Sequence, residues 1–230
     1  MKNHVFLLFL GLAGPVAHAQ QPVAKPAKLI PTAQAPAGYQ ELLLATINEL
    51  QAARTLPATR AAVGKLDRAA AAAPTDWLPL YYQGLGYVQL SFLSNDEATR
   101  DKCLDQAQVL LDKSRKLSQS PGELLVLQGY LYQARLAVSP MLRAMEYGPK
   151  ASAILQEAHR IDPQNPRASY LMGSNLFHKP ALFGGGGEAA RPWLEQAVAL
   201  YAASHPATPT APRWGQTEAK LLLAQVTRTQ

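Results

Sequence analysis

Four consecutive glycines, Gly184 to Gly187, stand directly before a helix-shaped run that opens Glu188-Ala189-Ala190. Such a run permits two things: backbone N–H groups at a helix start can cradle a phosphate, and glycine lets a chain reverse sharply through positive φ. A nucleotide-binding loop requires a lysine and a Ser or Thr after the last glycine, with a strand before the first. Here Glu188 places negative charge where the phosphate would lie, and the preceding segment reads as helix. A weaker anion site remains open, because His178, Lys179 and Arg191 flank the run, alongside the simpler reading as a structural turn.

The other reactive side chains do not converge. Cys103 is the sole cysteine, so no internal disulfide can form, and with no histidine near it in sequence it reads as a packing residue at the start of a helix. His159, His178 and His205 stand alone, without the i, i+4 partner or H-E-x-x-H spacing that zinc chemistry needs. Asp101 with Asp105 and Glu157 with Asp162 are paired carboxylates, yet each has basic neighbours at helical spacing, which predicts solvated ion-paired faces. Gly84-Leu85-Gly86 lacks the third glycine of a dinucleotide fingerprint, and no G-x-S-x-G elbow occurs. The expectation is a protein that is not an enzyme and that carries no cofactor and no metal.

The elements that must position these residues begin after an unusual start. Lys2, an apolar stretch from Val5 to Ala13 and the small-x-small site Ala17-His18-Ala19 predict a signal peptide over residues 1–19, cleaved near Ala19. Pro15 and His18 interrupt the stretch too early for a membrane span. The expected location is therefore periplasmic or secreted, with no membrane-spanning segment. Residues 20–38 carry Pro22, Pro26, Pro31 and Pro36, a spacing in which neither helix nor strand can propagate, and they read as a disordered linker. Residues 39–230 form the helical domain. The 22 basic against 16 acidic residues are a mild excess, scattered without a dense stripe, so no nucleic-acid partner is expected.

Within residues 39–230 one helical signature recurs. Ala62, Leu66 and Ala69; Ala107, Leu111 and Ser114; Ala151, Leu155 and Ala158; and Ala190, Leu194 and Ala197 each place a small residue, a leucine and a small residue on one helix face. Pro74 and Pro163 close two of these helices. Upstream lie the segments LYYQGLGYVQL, LLVLQGYLYQARL and SYLMGSNLF, with Gly84, Gly129 and Gly173 in corresponding places where close helix approach is the plain reason for glycine. Trp77, Trp193 and Trp214 read as anchors of the junctions.

These residues resemble the tetratricopeptide repeat, whose helix A carries a glycine and a tyrosine and whose helix B carries the alanine-leucine-alanine seam. Gly84 with Tyr87, Gly129 with Tyr132, and Gly173 match helix A; the four seams match helix B. The joints depart from the pattern: 23, 22 and 17 positions separate the glycine from the first seam residue, against about 12 in the family unit. The inserted residues either extend the helices or form loops at one end. The phrases DWLPLYY, NPRASYLMG and LFGGGGEAARPWLEQA also resemble a group of exported repeat proteins common in Bacteroidetes, and the glycine-rich joint is loosely similar to one in the T component of TRAP transporters.

The resemblance implies an all-α, TPR-like α-solenoid of about four antiparallel helix pairs plus a C-terminal capping helix from Arg213. It further implies that partners are met on the concave side, which here places Tyr81, Leu85, Tyr130, Gln133, Arg167, Tyr170, Ser174 and Phe177 in the groove, with Val88 and Val126 beside them. That set favours a protein or peptide partner in the cell envelope, held by aromatic burial and by Arg167 pairing with an acidic group. The alternative is a small-ligand-binding accessory protein, with the inserted joints closing the groove into a pocket.

Overall fold

The computed structural model describes residues 35–228, Gln119 apart. The predicted signal peptide and most of the proline-rich linker lie outside the described residues. Those residues belong to one compact unit and are all-helical: α1 (Tyr39–Ala52), α2 (Leu56–Ala72), α3 (Leu78–Leu93), α4 (Glu97–Leu117), α5 (Pro121–Val138), α6 (Pro140–Ile161), α7 (Pro166–His178), α8 (Gly187–Ala203) and α9 (Gln216–Arg228), with a short 3-10 turn at Ala181–Phe183.

Local chemistry explains the boundaries. Asp96 accepts the Thr99 N–H and Asn165 the Arg167 N–H, satisfying donors that the first turns of α4 and α7 leave open. Proline opens α5, α6 and α7 (Pro121, Pro140 and Pro166), where its missing N–H breaks no helical bond. Pro74 and Pro163 fall in the turns after α2 and α6. Two of the three inserted joints become helix, lengthening α4 to 21 and α6 to 22 residues. The third becomes the 3-10 turn and the glycine run, because Pro180 and four glycines cannot continue a helix.

Consecutive helices pack against one another, and the odd-numbered helices also touch in the order α1, α3, α5, α7, α9. The odd helices thus form an inner row and the even ones lie outside it. Their direction is shared: the start of α5 meets the starts of α3 and α7 through Glu123, which binds Tyr81 and Arg167. The seams supply the packing. All four seam leucines, Leu66, Leu111, Leu155 and Leu194, are fully buried. A Cβ at Gly129 would stand 2.4 Å from Leu155, and one at Gly173 2.7 Å from Leu194, so the paired helices approach too closely for any side chain at those two places. Gly84 differs from its counterparts: a Cβ there meets nothing nearer than 3.5 Å.

Candidate functional site

The inner faces of α3, α5 and α7 each carry a stripe at helical spacing: Tyr81, Leu85, Val88 and Phe92; Glu123, Val126, Tyr130, Gln133 and Ala137; Arg167, Tyr170, Ser174 and His178. Because the three helices run in parallel, these stripes lie side by side and form a groove. Its lower half, over the helix starts, is filled by the chain itself. The connection Ser204–Gly215 between α8 and α9 crosses it, with a turn at Thr208–Ala211 in its middle. Tyr82 Oη donates to the carbonyls of Thr210 and Ala211 (3.2 and 3.1 Å), and Arg213 binds the Asn48 side-chain oxygen on α1. Trp214 Nε1 donates to Tyr81 Oη at 2.9 Å, while Tyr201 Oη donates to the Trp214 carbonyl at 2.7 Å.

This connection decides which of the sequence-expected residues face outward. Tyr81, which Trp214 covers, is fully buried, as are Leu85, Val88 and Val126. Arg167 is also buried, and both its Nε and its Nη2 donate to the Glu123 carboxylate, which further accepts from Asn165 and Tyr81. Burial opposes the Arg167 charge, but Glu123 more than offsets it and holds the guanidinium protonated. Its role as an anchor for a partner's acidic group is therefore corrected: the cation is already paired inside the fold. Tyr130, Gln133, Tyr170, Ser174 and Phe177 keep partial exposure, Phe177 against the Ala190, Leu194 and Val226 cluster of α8 and α9. The Gln133 amide donates to the Leu171 carbonyl at 2.8 Å, tying α5 to α7. Burial pushes the phenols of Tyr130 and Tyr170 well above their ordinary range, so both stay neutral.

The upper half is built around a ladder of rings. Phe92 stacks on Tyr130 (5.6 Å between centroids, 27° between planes), and Tyr130 stacks on Trp214 (5.4 Å, 22°). Exposure falls along it: Phe92 is 44% exposed, Tyr130 half-buried, Trp214 8% and Tyr81, which Trp214 hydrogen-bonds, 0%. The ladder therefore opens to solvent at the end where the helix pairs join. Ala137 and Ser174 are partly exposed at the ends of their stripes, and His178 and Lys179 are exposed at the end of α7. Phe92 and Trp214 were not among the sequence-expected groove residues. Phe92 was legible as one more turn of the stripe through Tyr81, Leu85 and Val88; nothing in the spacing places Trp214 there.

The pair α7–α8 is also shorter than α5–α6, at 13 and 17 residues against 18 and 22. At 1.5 Å per residue the five-residue difference makes the α5–α6 pair longer by about 7.5 Å. Met141, Leu142 and Met145 are nearly bare at its tip (94%, 83% and 90% exposed), and Leu182 and Phe183 are bare on the neighbouring joint. The glycine run is a turn: Gly184 and Gly186 have φ of 78° and 94°, and a Cβ at Gly185 would stand 2.1 Å from the Lys179 carbonyl. The N–H groups of Gly184, Gly185 and Gly186 are spent on the carbonyls of Ala181, Pro180 and Leu176, so they cradle no anion. Cys103 is half-buried, and burial raises its thiol pKa, which suits packing rather than nucleophilic chemistry.

No protein-family model and no curated protein matches the sequence. Among solved structures, the HusA haemophore from Porphyromonas gingivalis superposes with a TM-score of 0.76 at 30% sequence identity, over 85% of this chain and 97% of that one. The chain belongs to the HusA haemophore family. In this HusA relative the stacked rings leave Phe92 as the exposed end of the ladder, with Tyr130 enclosed between it and Trp214. A separate depression of about 210 Å³ between Arg115, Ser118, Pro121, Leu124 and Leu125 lies at the opposite end of α5, and it is smaller than the roughly 300 Å³ of ordinary ligand clefts. Among the described residues no helix is long and apolar enough to cross a membrane, and no group of three His, Cys, Asp or Glu is placed to hold a metal ion.

Proposed function

We propose that the protein is an exported, non-catalytic carrier that takes a flat tetrapyrrole of the haem class on the open half of its groove. The likeness to a haemophore over nearly that protein's whole length carries this reading. The open site has the matching chemistry. Phe92, at the exposed end of the ladder and backed by Tyr130, offers an apolar ring face to a macrocycle, and the exposed Lys179 offers a cation to its carboxylates. The leader over residues 1–19 supports export, and the seams support a tetratricopeptide-like stack as the frame. A haem-type ligand is cargo here, so the residues need to bind and orient it and to transform nothing.

Titration of the full chain with ferric haem, followed by absorbance and by tryptophan fluorescence quenching, tests the reading. Saturable one-to-one binding is expected. Phe92→Ala removes one exposed stacking face worth about 0.5–1.5 kcal/mol, which weakens binding by up to about tenfold. Leu221→Ala, a change at a still more exposed apolar residue on α9, leaves it unaltered. Absence of saturable binding overturns the reading.

A second reading keeps a protein partner, as the repeat resemblance implies, and one observation favours it: the bare tips at Met141, Leu142 and Met145 and at Leu182 and Phe183. Exposed apolar clusters of this kind suit a protein contact. That contact would lie at the tips, because Ser204–Gly215 already occupies the groove's lower half.

A further inference from the structure

Met141 and Met145 belong to a stripe of α6 that meets neighbours along its lower part. Met141, Met145, Ser152 and His159 recur at helical spacing and share one face within about 40°. On that face Ser152 accepts from the Asn175 amide of α7 at 2.8 Å, and His159 packs edge-on against Trp193 of α8 at 5.0 Å. Above them the face is bare. From Ser152 the helix α6 extends 12 residues back to Pro140, whereas α7 ends 3 residues beyond Asn175, at His178. About two and a half turns of α6 therefore stand past the end of α7. Arg143, about 200° round the helix from Met141, points to the opposite flank, where it donates to both Asp101 carboxylate oxygens on α4 at 2.7 Å. One flank of the tip is thus held by α4, while α7 and α8 stop short of the other. At the foot of that uncovered flank lies the joint between α7 and α8, whose residues 180–187 expose Leu182 and Phe183 and carry no basic and no acidic side chain before Glu188.

The result is a step, with a wall of Met141 and Met145, Leu142 on its outer edge, and a floor of Leu182 and Phe183. We propose that this step is the contact face of a homodimer, in which the projecting tip of each copy lies on the floor of the other. The proposal rests on the reading of the tips as a protein contact and names the partner as a second copy of this chain. Geometry favours a copy over an unrelated chain. A recess and the projection that fits it stand side by side on one molecule, so a single two-fold axis sets wall against floor twice over. Area agrees. The five residues expose on the order of 800 Å² per copy, the share each partner gives to a stable interface. Methionine and an aromatic ring without charge are also the composition of an interface core.

The test uses the full chain without haem, followed by sedimentation velocity across the micromolar range. A concentration-dependent dimer is expected. Met145→Glu and Leu182→Glu should each raise the dimer Kd roughly tenfold or more, with an unchanged melting temperature because both residues are exposed in the single chain. Leu221→Glu, on exposed α9 surface, should leave the Kd within about twofold. With Cys103→Ser in every chain, Met145→Cys mixed with a tagged Leu182→Cys should give a disulfide-linked pair on mild oxidation, and Met145→Cys mixed with a tagged Leu221→Cys should not. A dimer that survives both glutamate changes overturns the proposal. A chain that stays monomeric and does not sediment with phosphatidylethanolamine–phosphatidylglycerol vesicles also overturns it, and leaves the tips to a different protein. A monomer that sediments with those vesicles and is released by Met145→Glu overturns the protein contact as well, in favour of a lipid surface. The haem-class reading stands or falls separately, on the titration with ferric haem.

Discussion

Arg167 shows how far a residue's type can mislead about its work. On an exposed helix face a guanidinium between aromatics is a natural anion anchor, yet here its fork is closed on Glu123, with Asn165 and Tyr81 filling the remaining acceptor sites of that carboxylate. Removing one partner leaves the other charge buried and uncompensated. Arg167→Ala should therefore destabilise the fold by about 3–5 kcal/mol, read by urea denaturation. The double change Arg167→Met with Glu123→Leu should recover much of the loss, because apolar groups of similar volume bury without a desolvation penalty. A single variant as stable as wild type would show that the pair is solvated. Tyr130 is the contrary case. Its place on the α5 stripe was legible, and it keeps partial exposure between Phe92 and Trp214.

At the scale of the element, the seams and the paired glycines do what their spacing implies, with one difference that yields a prediction. Gly129 has no room for a methyl group against Leu155, whereas Gly84 meets only ordinary contacts. Gly129→Ala should destabilise by about 1–3 kcal/mol through overpacking. Gly84→Ala should be neutral or stabilise by up to about 1 kcal/mol, since alanine is the better helix former. Thermal unfolding of the two variants side by side checks this, and equal shifts would contradict the close approach of α5 and α6. The joints were the least legible elements. Periodicity marked them as insertions, but whether each lengthened a helix or looped depended on Pro180 and the glycines in one and on Pro140 opening a helix directly in another.

Across the whole molecule, the connection Ser204–Gly215 contributes most of what a reader of helices would overlook. It ties α8 back to α1 and α3, fills half the groove and brings Trp214 into the ladder. Trp214→Ala deletes a stacked ring and the hydrogen bond to Tyr81, and should lower stability by about 3–5 kcal/mol. It should also release the connection, so that limited proteolysis cuts between residues 204 and 213 faster than in wild type. An unchanged melting temperature and cleavage rate would mean that the segment merely rides on the surface.

The sequence alone determined the helices, their pairing seams and the stripes that line the inner row, because these follow from a 3.6-residue period and from where glycine and proline interrupt it. Five of the eight groove residues read from those stripes keep partial exposure. The tertiary structure alone decided that Tyr81, Leu85 and Arg167 are closed off, that Trp214 joins Phe92 and Tyr130, and that His178 stands exposed at the end of α7. The physical reason is range. Contacts such as Trp214 to Tyr81 or Arg213 to Asn48 span 133 and 165 positions. No local periodicity records which aperiodic segment will bury an apolar face, since that is settled when the folded surfaces compete to leave water.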